Sequence, residues 1–284
     1  MTTVLLTGFE PFADDATNPS GDAVRLVARS WRGPERLVTA VLPVTFAGAA
    51  ATLRALIAEH APDIVIATGL AGGRAAVTAE RVAINLVDAR IPDNDGAQPA
   101  DAPSLPGGPA AYFTTLPAKA IVRDAAAAGI PAALSMTAGT FVCNHVCYHA
   151  LDAAAATPGM RAGFIHVPYA AESAPSGAPA LPLRDIARAL EGAVRTSIDN
   201  THDIDATGGT LHCSEPRGGH RDGDGGPHPL TTRAERVGSA GDDLRRADLR
   251  VGPHLGGDPI RLLDEGGDDL RLGHGLDDLA LDED

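Results

Sequence analysis

Short apolar runs alternate along this chain with longer stretches of helical periodicity. TVLLTG (residues 3–8) is an apolar run closed by glycine, which predicts a buried strand. Asn18 followed by Pro19 predicts an N-cap with proline at the first helical position, and the helix continues through AVRLVARSW. LVTAVLPV then reads as a strand, AGAAATLRALIAEH as a helix, and DIVIATGL as a strand ending in the glycine-rich turn AGGR. ERVAINLVDAR is a further β-rich run, and IPDNDGAQPADAPSLPGGP is a long loop crowded with turn residues. A helix over 116–128, strands at PAALSM and GFIHVPY, and a final helix complete the series. In that helix Leu183, Ile186, Leu190 and Val194 share one face. The alternation predicts an α/β fold: a three-layer α/β/α sandwich with helices on both faces of a mostly parallel, twisted sheet. Ligands of such sheets collect at the carboxyl ends of the strands. GFEPF, GLAGGR, the turn before Cys143, and His166 all fall at predicted strand ends.

The pattern stops near residue 212. From Cys213 to Asp284 the chain carries 17 acidic and 9 basic residues, 14 glycines and no aromatic residue. Its leucines sit in fragments such as DDLRRADLR, without helical or strand periodicity. Such a segment buries too little apolar surface to offset its ordering entropy. Residues 1–212 are therefore expected to fold, and residues 213–284 to form an acidic, Gly/Asp/Arg-rich, disordered tail. The tail is either a solubilising extension or DNA read in an unselected frame.

Charge and cysteine content narrow the function. A net charge of −14 argues against a nucleic-acid partner bound through phosphates. The start, MTTVLLTGFEPF, has no basic n-region and no long apolar stretch, so no secretory signal is expected. Nor does any run of about twenty apolar residues predict a membrane span. Three cysteines are too few for a disulfide framework, and the odd count favours a reducing compartment, the cytoplasm.

The stretch FVCNHVCYHAL (141–151) concentrates the candidate chemistry: Cys143, His145, Cys147 and His149 fall within seven residues. A tetrahedral zinc site is disfavoured by the spacing. On a helix the two cysteines share one face and the two histidines another, while on a strand all four are too far apart to close around one ion. A redox pair would call for CxxC rather than CxxxC. A single activated thiol fits SMTAGTFVCNH, which reads as strand, glycine turn and helix start. Backbone N–H groups and the dipole at a helix N-terminus favour thiolate and can accept an oxyanion. His166 on the next strand is a better base than His145, which points away from Cys143 on a helix. Spacing alone also leaves Cys143 open as an ordinary small buried side chain.

Eight blocks in fixed order resemble the type I pyroglutamyl peptidases (pyrrolidone-carboxylate peptidases). They are GFEPF (8–12), NPS (18–20), GLAGGR (69–74), ERVAIN (80–85), IPDNDGAQP (91–99), GGPAAYFTTLP (107–117), AGTFVCNH (138–145) and HVPY (166–169). The resemblance spans Val4 to about His212. It implies a cysteine peptidase that removes an N-terminal pyroglutamyl residue through a thioester, without metal or other cofactor. Cys143 would be the nucleophile, His166 the base and Glu80 the acidic third member, with Arg90 near the oxyanion. Phe9, Phe12, Asn18, Thr45, Phe141 and Val142 match pocket positions, and Leu70 stands where the family often has Gln. A homodimer or homotetramer acting on peptides, with neither nucleic acid nor membrane as partner, is implied as well. The alternatives are a non-catalytic module binding pyroglutamyl N-termini, and a thiol- or metal-responsive protein built on Cys143 and Cys147.

Overall fold

A computed structural model describes residues 1–209; the tail expected over 213–284 lies outside the described residues. Six strands form the main sheet. They are β1 (Thr3–Phe9), β2 (Arg36–Leu42), β3 (Ile64–Leu70), β4 (Val77–Glu80), β7 (Ala132–Ser135) and β8 (Arg161–Val167), in the order β2-β1-β3-β8-β4-β7. Every neighbouring pair is parallel except β8 and β4, which run antiparallel. Two small pairs lie outside this sheet: β5 (Val82–Ile84) with β6 (Ala111–Phe113), antiparallel, and β9 (Tyr169–Ala170) with β10 (Ala180–Leu181), parallel.

Side chains alternate across a strand, so each strand feeds both faces of the sheet. Leu5, Val65, Ala67 and Phe164 point to one face, where α2 (Phe46–His60) and α4 (Val142–Ala156) cover them. Val4, Leu6, Ile64, Ile66, Ile165 and Val167 point to the other, beneath α1 (Pro19–Ser30), α3 (Ala118–Ala127) and α5 (Leu183–Asp199). Near-continuous apolar strands are what a sheet buried on both faces requires. The result is the three-layer α/β/α sandwich expected. On α5, Ile186, Leu190 and Val194 are fully buried, and Leu183 packs at the cluster's edge. Among the described residues, no helix is long and apolar enough to cross a membrane.

The helix starts obey local chemistry. Asn18 Oδ1 accepts from Ser20 N–H and caps α1, with Pro19 as its first residue. Thr45 Oγ1 accepts from Gly48 N–H and caps α2. Phe141 precedes α4 and supplies no such cap.

The expected strand ERVAINLVDAR is the main departure. Glu80 ends β4, only Val82–Ile84 continue as strand, and the remainder is irregular. Side chains take over its backbone groups. Asn85 Oδ1 accepts from Leu105 N–H at 2.8 Å, and Asn144 exchanges hydrogen bonds with Ile84 N–H and C=O. The loop from 91 to 109 is pinned similarly, since Asp93 accepts from Phe46, Asp95 and Ala97 N–H groups.

Candidate active site

The strand ends build a small pocket. Phe9 closes β1, Leu70 closes β3, and Phe12, Asn18, Phe141, Val142, Cys143 and Tyr169 complete most of its wall. Its volume is about 200 Å³, below the ~300–1,000 Å³ of sites for drug-sized ligands, so it suits one small ring. Phe141 stands edge-on to both Phe12 and Phe46, at 5.6 and 5.2 Å between ring centres, and this locks the aromatic wall. Asn18 binds three ways: Oδ1 accepts from Ser20 N–H and Oγ–H, and Nδ2 donates to Glu10 C=O at 2.8 Å. It thereby fixes the turn after β1 to the start of α1. Across the rim, Asn94 accepts from Ala13 N–H and donates to Pro11 C=O.

Cys143 is the second residue of α4, half-buried and facing this pocket. Backbone N–H groups in a helix's first turn have no carbonyl of their own helix, and the Phe141 side chain does not cap this one. Asn144, next in sequence, anchors that turn by donating to Ile84 and Leu86 C=O. The thiol lies over Gly69 of β3. A Cβ there would come within 2.8 Å of Cys143 Sγ and 2.9 Å of the Phe164 ring, so only glycine admits the helix at this depth. Gly69 pairs across the sheet with His166 of β8.

His166 and Glu80 follow from register. Phe164 faces α4, so His166, two residues on, faces it as well. Thr78 of β4 pairs with His166, and Glu80, two further, projects to that same face. The resulting hydrogen bond, His166 Nδ1 to Glu80 Oε1, is 2.7 Å and buried. Arg74, from the turn before β4, donates through Nη1 to the same Glu80 oxygen at 2.7 Å and to Thr78 Oγ1, and through Nη2 to Thr137 C=O at 3.1 Å.

Burial opposes charge on Glu80. The His166 hydrogen bond and charge, Ser135 and the Arg74 hydrogen bond outweigh it and hold the carboxyl below its usual range. Burial also lowers His166, against the pull of Glu80. With Glu80 ionised, the proton of the neutral imidazole belongs on Nδ1, which leaves Nε2 free as a base. Burial, followed by the Glu80 charge, pushes the Cys143 thiol up to about 12. Burial therefore opposes the thiolate that the helix N-terminus favours.

The remaining candidates fall apart spatially. Arg90 is exposed, and its neighbour Ile91 lines the pocket in its place. Thr45 is buried as the cap of α2, while Val44 lines the pocket. Cys147 is buried in the α2–α4 core as a small apolar side chain. His145 and His149 are buried too, edge to face at 4.5 Å, with Ser104 Oγ at 2.7 Å from one ring and Arg54 at 3.2 Å from the other. They are local hydrogen-bond partners. Among the described residues, no group of three or more His, Cys, Asp or Glu is arranged to hold a metal ion. Arg74 and Asn144 escaped the sequence reading. The one signal for Arg74 was a lone cation closing a glycine-rich strand end, and for Asn144 it was adjacency to Cys143.

Known proteins resemble the chain in sequence and in fold. A pyrrolidone-carboxylate peptidase of Clavibacter michiganensis is 49% identical over 212 residues, which cover 74% of this chain and 100% of that protein. One of Cupriavidus taiwanensis is 50% identical over 216 residues, covering 75% and 100%. The crystal structure of pyroglutamyl peptidase I from Bacillus amyloliquefaciens, 47% identical, superposes with a TM-score of 0.69 over 72% of this chain and 100% of that one. The pyrrolidone carboxyl peptidase of Thermococcus litoralis, 40% identical, gives 0.67 over 70% and 94%. The family model for pyroglutamyl peptidase matches residues 2–200. By sequence and by fold alike, the chain belongs to the pyroglutamyl peptidase family.

Proposed function

We propose that the protein is a cysteine peptidase that removes the N-terminal pyroglutamyl residue from peptides, with Cys143, His166 and Glu80 as its triad. One observation carries the assignment of roles: the buried 2.7 Å His166–Glu80 bond stands beside a pocket-facing thiol at an uncapped helix N-terminus. The flat, uncharged lactam ring enters the aromatic pocket beside Phe9, Phe12, Phe141 and Val142, with Leu70 at its edge and Asn18 fixing the loop around it. Thr45 serves through the cap that sets Val44, and Arg90 is the candidate to approach the oxyanion from the rim. As Cys143 Sγ attacks the lactam-bearing acyl carbon, its proton passes to His166 Nε2. Glu80 holds the imidazole and stabilises the imidazolium. The oxyanion is received by first-turn N–H groups of α4. His166 then protonates the leaving amine, and water, deprotonated by the same imidazole, hydrolyses the thioester. Residues 1–212 form the hydrolase domain, consistent with relatives that match over their full length while covering about three-quarters of this chain. The paucity of cysteines favours the cytoplasm, and family resemblance favours a homodimer or homotetramer.

Release of a fluorescent amine from a pyroglutamyl amide tests this reading. The reduced full-length protein is expected to turn over, and Cys143→Ala and His166→Ala to lower kcat by more than about a thousandfold while keeping the fold. Near-normal turnover in either variant sinks the assignment. Tight binding of the amide without turnover by the unsubstituted protein would favour a binding module instead.

A further inference from the structure

Glu80 accepts two donors on one oxygen. His166 Nδ1 and Arg74 Nη1 each lie 2.7 Å from Oε1, and Oε2, equally buried, has no hydrogen-bond partner among the described residues. A carboxylate held by an imidazole alone could rotate and exchange its oxygens. The guanidinium removes that freedom through its own attachments. Nη1 also bonds Thr78 Oγ1, on the residue paired with His166, and Nη2 bonds Thr137 C=O in the loop that leads to Cys143. Arg74 therefore spans the glycine turn after β3, the triad carboxylate and the nucleophile loop with one rigid plane. It is 30% exposed, whereas Glu80 is fully covered.

We propose that Arg74 is a positioning residue of the peptidase: it clamps Glu80 so that one carboxylate oxygen faces His166, and it ties that oxygen to the loop delivering Cys143. This rests on the catalytic reading above. The guanidinium does not line the substrate pocket; it contacts Glu80, and its charge also reaches His166 and Cys143. Its charge has a second effect with a definite sign. The titratable and charged groups acting on His166 are Glu80 on β4 and Arg74 in the preceding turn, with Cys143 on α4 beside them. Arg74 partly neutralises Glu80, which restrains proton uptake by the Glu80–His166 pair. Removing the charge lets the pair bind its proton at higher pH.

Two variants, Arg74→Gln and Arg74→Lys, separate positioning from scaffolding. In Arg74→Gln, kcat is expected to fall roughly ten- to a hundredfold with KM changed less than about twofold. The acid limb of kcat/KM should move to higher pH. Arg74→Lys keeps a cation but not the planar fork. It should return the acid limb toward its original position while recovering only part of kcat. NMR titration of nitrogen-15-labelled histidine, with the His166 signal assigned by its loss in His166→Ala, reads the same shift without turnover. Unchanged kcat in Arg74→Gln overturns the inference, as does a fall in kcat with both the acid limb and the His166 titration unmoved. Should the Gln variant not fold, wild-type kcat in Arg74→Lys overturns the clamp. An inactive wild-type chain would refute the peptidase reading, yet the His166 titration would still decide the role of Arg74.

Discussion

At the scale of single residues, the site depends on what is missing as much as on what is present. Gly69 supplies no side chain, and Cys143 occupies the space. Gly69→Ala is expected to push the thiol and the Phe164 ring apart, costing about 1–3 kcal/mol of stability and roughly a hundredfold in kcat/KM. Thermal melting and steady-state kinetics on that variant check both figures, and an alanine that leaves kcat/KM intact would show that α4 can retreat without cost. Glycine at position 69 was visible in the sequence only as part of a turn motif, because its cause is a sulfur 74 positions later. The Glu80–His166 bond likewise spans 86 residues, so no local spacing announces it. Family resemblance brought these residues together, and register explains why they meet. Arg74 carried no role in the sequence because its partners, Glu80 and the Thr137 carbonyl, become neighbours only once β4 and β7 pair.

At the scale of elements, the periodic segments were legible and the aperiodic ones were not. Helices α1, α2 and α5 follow from caps and apolar faces written locally. The stretch after Glu80 looked like one strand because Val82, Ile84, Leu86 and Val87 are apolar. Asn85 and Asn144 decide otherwise, through hydrogen bonds that only the assembled fold contains. The α2–α4 contact carries its own pH response. Burial and the neighbouring His149 and Arg54 lower His145 from 6.5 to about 4, and burial and Arg54 lower His149, against a smaller opposing pull from Asp152. Both are therefore neutral when folded at neutral pH. A histidine with a lowered folded pKa binds protons more readily when unfolded, so stability falls as pH drops below about 6.5 and levels off below the folded value. For His145 alone the loss is on the order of 3 kcal/mol. Denaturant melts between pH 7 and pH 4 should show this loss, and it should shrink in His145→Gln. A slope unaltered by that substitution would assign the acid sensitivity elsewhere.

At the scale of the whole molecule, the peptidase domain and the remainder of the sequence differ in composition. Relatives match with their whole length while covering only about three-quarters of this chain. A chain ending at His212 is therefore expected to keep kcat/KM within about twofold of the full-length protein and to melt at a similar temperature. Activity confined to the shorter chain would make residues 213–284 inhibitory, and activity confined to the full chain would place part of the machinery beyond residue 212.

Strand β8 lies at the centre of the main sheet, between β3 and β4, yet it is the last of the six to appear along the chain. On the ribosome, β3 and β4 emerge with a gap between them that nothing upstream can fill. At about 5–20 residues per second, the 87 residues from Glu80 to Val167 take roughly 4–17 s to synthesise. Until then the edges of β3 and β4 that β8 covers in the finished sheet lack that partner. The strand that closes the gap carries the proposed catalytic base, His166. Activity that depends on this base therefore cannot precede completion of the sheet, and Tyr169 of the pocket wall follows two residues later.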